Sequence, residues 1–161
     1  MDPVYKKFID SVDKRELKAI VSKLKRANPR TLDDIVHPLH FELFEIVDCL
    51  NCAACCSSLG PAIKDIDIQR MAKHLKIKPS ELTDKYLKVD EDGEYVFKLM
   101  PCPFLQDDNK CSVYESRPMA CREYPHTNRK NFYQIIDLSV KNVKICPVVA
   151  GVFQKISEKI K

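Results

Sequence analysis

Eight cysteines stand in this chain of 161 residues, and four of them fall within eight positions: Cys49-Leu-Asn-Cys52-Ala-Ala-Cys55-Cys56. The other four are Cys102, Cys111, Cys121 and Cys146, the first and last of which precede proline. A hydrophobic core does not call for thiols at this density, whereas soft metal centres do. A Cys-x-x-Cys pair brings two side chains of one tight turn onto one metal, and here two such pairs share Cys52. Cys55 and Cys56 are neighbours, and adjacent side chains tend to diverge. Cys56 is therefore expected to serve a second site, or one thiolate to bridge two metals. All eight cysteines are candidate metal ligands. The expected partition joins Cys49, Cys52 and Cys55 with Cys146, and Cys56 with Cys102, Cys111 and Cys121.

The metal is narrowed by context. The start of the chain, Met-Asp-Pro-Val-Tyr-Lys-Lys, lacks the apolar core of a secretory signal, and no run of 18 apolar residues follows. The expectation is a cytoplasmic protein with no membrane partner. Thiols stay reduced there, so clustered spacings read as metal rather than disulfide. The run of spaced cysteines opens the bacterial ferredoxin pattern, whose remote ligand precedes proline as Cys146 does. An iron–sulfur cluster of the 4Fe–4S type is therefore the leading cofactor. Zn2+ is the alternative, because Cys102 and Cys111 sit like the ends of a zinc knuckle. Three glycines in the whole chain are few for a ferredoxin-like wrapping. The formal net charge is +4. Eight thiolates and two doubly positive centres would cancel it, so the basic excess does not require nucleic acid.

Cys121 is expected early in a short helix, with Arg117 and Arg122 beside it. Both features lower a thiol's pKa. His37, His40 and His126 are secondary ligand candidates. No cysteine–histidine catalytic signature and no phosphate-cradling glycine loop occurs. Whether the chain is an enzyme stays open, and any chemistry would belong to the metal.

These residues need a scaffold. With 45% apolar and 31% charged residues, the expected fold is a small, α-rich α+β single domain over 1–161, with helices and short hairpins around the metal. Residues 1–44 are expected as an N-terminal helical extension and 45–155 as the cysteine-cluster core. Residues 2–28 read as helix, broken near Ser11–Asp13 and ended by Asn28-Pro29. A partner-binding arm is the second reading of this region. Residues 31–48 are ambiguous: Thr31–Asp34 could cap a short helix, Pro38 interrupts it, and the apolar pattern fits strand and helix equally badly. Residues 65–88 read as two short helices around a tight turn, the first capped by Asp65. That outline and its lysines raise DNA binding, but the second helix has no Arg, Asn or Gln to read bases. A metal-stabilised DNA-binding module is the last of the three functional readings. Leu87–Val89 and Tyr95–Leu99 flank one turn, and Phe104-Leu105 and Cys111–Tyr114 another that would bring Cys102 near Cys111. Residues 131–145 read as strand or loop. Cys146-Pro147 opens a final helix.

The chain resembles the YkgJ-type cysteine-cluster family, described as a zinc- or iron-chelating domain and named for its CxxCxxCC motif. The cysteine run of 49–56 is that motif. Asp65–Leu75 with Leu82, Tyr86 and Leu87 resembles its helix pair. Pro101–Leu105 with Cys111–Glu115 resembles its hairpin, and Arg117-Pro118 with Cys121–Pro125 its last signature. The similarity extends over about residues 45–155. It implies metal binding through the cysteines. A related motif occurs in flagellin lysine methylases, which points the analogy toward iron–sulfur chemistry. The family often has glycine after the motif's second cysteine, where this chain has Ala53. If that position takes positive φ, alanine is strained there, which predicts a different turn.

Overall fold

The computed structural model describes residues 2–160. Its helices run, in chain order, α1 (Pro3–Asp10), α2 (Lys14–Arg26), α3 (Pro29–Phe44), α4 (Cys49–Cys52), α5 (Ala54–Ser58), α6 (Asp65–Leu75) and α7 (Pro79–Tyr86). Strands β1 (Leu87–Val89) and β2 (Tyr95–Phe97) follow, then α8 (Met119–Glu123), α9 (Ile136–Asn142) and α10 (Pro147–Lys159). The expected α-rich α+β class holds. Among the described residues, no helix is long and apolar enough to cross a membrane. The chain divides into two compact units, one formed by Met1–Cys52 and Pro125–Lys161, the other by Ala53–Tyr124.

In the first unit the helix starts are explicit. The Asp2 side chain accepts from the Val4 N–H at 2.7 Å, and Asp13 accepts from the N–H groups of Arg15 and Glu16. The break between α1 and α2 thus falls where the sequence puts it. Asn28 both follows α2 and caps α3, accepting from Arg30 N–H at 3.0 Å.

α3 corrects the reading of residues 31–48. It is one helix of 16 residues with Pro38 inside it. Leu32, Val36, Leu39, His40 and Leu43 are buried, at the spacing of one helical face. Pro38 removes one backbone bond, and burial of that face offsets the loss. Phe41, 60% exposed, obscures the period in the sequence.

That face packs on α10, whose Val148 to Phe153 and Ile156 are all buried. Gly151 permits the approach: a Cβ there would lie 2.7 Å from Leu43 Cδ2. Within residues 131–145, Phe132–Asn142 is helical, against expectation, as a 3-10 turn at Phe132–Ile135 followed by α9. Their buried positions, Phe132, Ile135, Ile136, Ser139, Asn142 and Val143, keep a helical period. Two of those residues are polar, which hides it. The Asp33 carboxylate caps the 3-10 turn from a distance, accepting from Asn131 and Phe132 N–H at 2.7 and 2.9 Å.

His40 and His37 belong to this packing. His40 is buried against Phe41 and Phe44, with Nδ1 2.7 Å from Thr127 Oγ1. His37 Nε2 lies 3.1 Å from the Arg129 carbonyl oxygen. Burial, then the charge of His37, hold the His40 pKa below its ordinary value. A lowered folded-state pKa means that the neutral ring favours the fold. The contribution is present above the unfolded value of about 6.5 and is lost as pH falls from there through the folded value. We expect the unfolding free energy to fall on acidification below that point, by at most about 1.4 kcal/mol per pH unit for one proton, and the melting temperature to fall with it. His40→Gln should flatten that segment of the profile. An unchanged slope in the variant would assign the acid sensitivity elsewhere.

The second unit is built around Ile63, Ile68, Met71, Ala72, Leu82, Leu87, Phe97, Phe104 and Val113, with Cys102 and Cys111 packed against them. α6 and α7 form the expected helix pair, joined through Lys76 in a left-handed conformation. The N-cap of α6 is Lys64, not Asp65, and the Lys64 N–H donates to the Asp67 carboxylate at 3.1 Å. β1 and β2 pair antiparallel with Leu87 opposite Phe97, Lys88 opposite Val96 and Val89 opposite Tyr95. The second hairpin reduces to one bridge, Leu105 with Cys111.

Candidate metal centre

The cysteines divide with the two units. Cys49, Cys52 and Cys146 lie in the first. Cys49 begins α4 and is exposed, and Cys52 ends it half-buried. Cys146 is the N-cap of α10 and only 8% exposed. The N–H groups of Val149 and Val148, at the open start of that helix, point to its sulfur. Burial nevertheless pushes the Cys146 thiol up to about 12, and Cys52 and Cys49 add to the rise.

Cys55, Cys56, Cys102, Cys111 and Cys121 lie in the second unit. Cys55 and Cys56 sit on α5, and their sulfurs are 3.9 Å apart. The expected divergence of these neighbours therefore does not hold. Sulfur ligands of one tetrahedral zinc stand about 3.8 Å apart, given a Zn–S bond of about 2.3 Å. The Cys102 N–H donates to the Cys56 carbonyl at 2.8 Å, which fixes the hairpin to α5. The bridge at Leu105 and Cys111, with Ser112 N–H donating to Phe104 O at 2.9 Å, closes the loop between Cys102 and Cys111. Cys121 enters from α8.

Cys56, Cys102, Cys111 and Cys121 act on one another's ionisation. Burial raises Cys102 to about 11 and Cys121 to about 12, and the other thiols of the set raise both further. Cys111 is raised by burial and by Cys56. Cys56 is the exception, lowered to about 7 by its contact with Cys55 and by the charge of Arg117. Burial thus overrides the expected acidity of Cys121. Arg122 is not among the groups that act on Cys121; its guanidinium is turned to the carbonyls of Glu115 and Arg117. Arg117 does favour the thiolates of Cys56, Cys111 and Cys121.

Two features suit a bound metal. Backbone N–H groups of Phe104 and Leu105 serve the Cys102 sulfur and that of Val113 serves Cys111, as they do for Cys146. Such bonds stabilise thiolate charge and tune a bound metal. The donor set is all sulfur, which selects zinc, Cu(I) or iron–sulfur centres. Among the described residues no three His, Cys, Asp or Glu side chains converge closely enough to hold a single ion as they stand. His126 is half-buried with a φ of 65°, and neither His37 nor His40 joins a thiol group.

The sequence does not single out Asp67, which is central here. It is 0% exposed. Its carboxylate accepts from Lys64 N–H and Met119 N–H at 3.1 Å each, and from Arg70 Nη2 at 2.5 Å. Arg70 also donates to the carbonyls of Ser116 and Arg117. Asp67 and Arg70 therefore fasten the segment that leads into α8 and Cys121. An Asp three residues before an Arg looks like any surface helix pair, so burial is what sequence alone lacks.

Ala53 keeps the left-handed turn despite its side chain, with φ 47° and ψ 14° and 7% exposure. A Cβ in this region costs about 1–2 kcal/mol. Glycine removes the strain but adds about 0.5–1 kcal/mol of backbone entropy to the unfolded chain. Ala53→Gly should therefore stabilise by about 0.5–1 kcal/mol, read as an increased urea midpoint. A destabilised variant would mean that the buried methyl outweighs the strain.

No curated protein and no solved structure matches the chain. Residues 48–142 match the CxxCxxCC family, “Putative zinc- or iron-chelating domain”. The matched segment contains every cysteine except Cys146, and it stops short of the span of 45–155 expected above. It covers more than half of the sequence, and the chain belongs to the CxxCxxCC family of zinc- or iron-chelating domains.

Proposed function

We propose that the eight cysteines ligate metal and that the metal is iron in an iron–sulfur cluster, serving electron transfer, radical or maturation chemistry in the cytoplasm. The observation that carries this reading is the set of Cys56, Cys102, Cys111 and Cys121, mutually interacting, half-buried and partly supplied with backbone N–H donors. The spaced run Cys49, Cys52 and Cys55, with Cys146 before Pro147, favours iron–sulfur over a single ion. In a change from the expected partition, Cys55 is grouped with Cys56, whose sulfur lies 3.9 Å from its own, and Cys49, Cys52 and Cys146 form the second group of ligands. A bound cluster would supply one-electron chemistry. The chain's own part is to ligate it, bury it and direct N–H groups at its sulfurs.

Zinc is the second reading, favoured by one observation. The Leu105–Cys111 bridge closes the loop between Cys102 and Cys111, and both of these thiols receive backbone N–H groups, in the manner of a zinc knuckle. Anaerobic purification with iron, zinc and sulfide analysis separates the two. A brown protein with stoichiometric iron and sulfide, bleached by dithionite, supports the cluster. A colourless protein with stoichiometric zinc replaces it with the second reading, and the absence of stoichiometric metal overturns both.

A further inference from the structure

We propose that Arg117 is the charge partner of the thiolate set in Ala53–Tyr124 and sets how tightly that set holds its metal. The inference rests on the proposed metal reading and adds a residue that is not itself a ligand. The guanidinium carbon of Arg117 lies 3.7 Å from the centre of the Tyr114 ring, a stacking distance. The Arg117 carbonyl accepts from Arg70 Nη2 at 2.8 Å and Arg122 Nε at 3.2 Å. Main chain and side chain are thus both held. Arg117 Nε is buried and has no hydrogen-bond partner among the described residues. A buried guanidinium N–H without an acceptor is uncommon, and the groups that its charge reaches include Cys56, Cys111 and Cys121.

The neighbouring arginines are engaged otherwise. Arg70 is paired with Asp67, and Arg122 with two carbonyls. Four thiolates around a doubly positive core carry two net negative charges. One guanidinium offsets half of them, and a thiolate or a cluster sulfide is the acceptor that its buried Nε lacks. At an effective dielectric constant of about 20, a unit charge several ångströms from the set changes metal affinity by roughly 10- to 50-fold.

The test uses the full chain, stripped of metal and titrated with Co(II), whose thiolate charge-transfer band reports binding. Arg117→Gln should weaken cobalt binding by roughly 10- to 50-fold and move the midpoint pH of loading upward, with little change in the melting temperature of the metal-free chain. Arg117→Lys should restore most of the affinity. Wild-type affinity in the Gln variant overturns the inference, as does a Lys variant no better than Gln. Tyr114 is 54% exposed, so Tyr114→Leu keeps the question decidable if Arg117→Gln does not fold. A severalfold weaker affinity with unchanged melting supports the charge-partner role, and unchanged affinity refutes it. A wild-type chain that gives no thiolate–cobalt band overturns the metal reading itself, a result distinct from either.

Discussion

Asp67→Ala is expected to destabilise the chain by about 3 kcal/mol, the lower end of what removal of one partner of a buried ion pair costs. The carboxylate has no exposure, and three donors depend on it: Lys64 N–H, Met119 N–H and Arg70 Nη2. Alanine leaves all three without their acceptor. The Arg70 side chain is 29% exposed, so water takes up part of its charge and the cost stays near the lower end. Asp67→Asn keeps an oxygen that one of the two backbone donors can use while losing the ion pair, and should cost about half as much. Urea unfolding measures both. The consequence extends to the thiols, because Met119 opens the helix that carries Cys121. Asp67→Ala should therefore also weaken metal binding. Equal stability of the alanine variant and the wild type would remove Asp67 from the support of α8.

How much of this was legible depends on whether the signal is local. The cysteine motif, the break before Asp13, the α6–α7 pair and the Cys146-Pro147 helix start are local, and sequence spacing finds each of them. α3 is different. Its stripe of Leu32, Val36, Leu39 and Leu43 is regular, but Pro38 and an exposed Phe41 interrupt the pattern, and only packing on α10 decides the outcome. α9 fails for a related reason, since Ser139 and Asn142 occupy buried positions that a hydrophobic pattern expects to be apolar. The acidity of Cys121 was misjudged because helix position and arginine count are visible in sequence whereas burial is not. The 3.9 Å approach of the Cys55 and Cys56 sulfurs is a matter of side-chain rotamers that sequence spacing does not specify, whereas the left-handed turn at Ala53 was hinted at by the family's usual glycine. Asp67 left no signal, because its three donors come from both ends of a segment of more than 50 residues.

Cys121→Ser and Cys146→Ser should each remove metal, but not the same metal. The thiols that act on Cys121 are Cys56, Cys102 and Cys111, and those that act on Cys146 are Cys52 and Cys49. If each group serves its own centre, either variant loses that centre and keeps the other, and the double variant loses both. Loss of metal from either single variant should also lower stability, since metal binding is coupled to folding. The pH dependence has a fixed sign. With thiols at about 11 and about 12, the metal-free chain holds Cys102, Cys121 and Cys146 protonated at neutral pH. Metal must displace those protons, so affinity rises with pH and binding releases acid into a weakly buffered solution. The metal-free fold behaves oppositely. Its raised thiol pKa values contribute stability below the unfolded value of about 8.5, and that contribution is lost as pH climbs toward 12. Metal-loaded protein should therefore gain stability over the metal-free form as pH rises through 7 to 9 (roughly the range in which free thiols begin to ionise). Parallel melts of the two forms, with metal content measured in each variant, decide the matter. A Cys121→Ser chain that keeps its full metal content would exclude Cys121 from the ligands. A chain emptied completely by either single substitution would instead unite the eight cysteines in one centre.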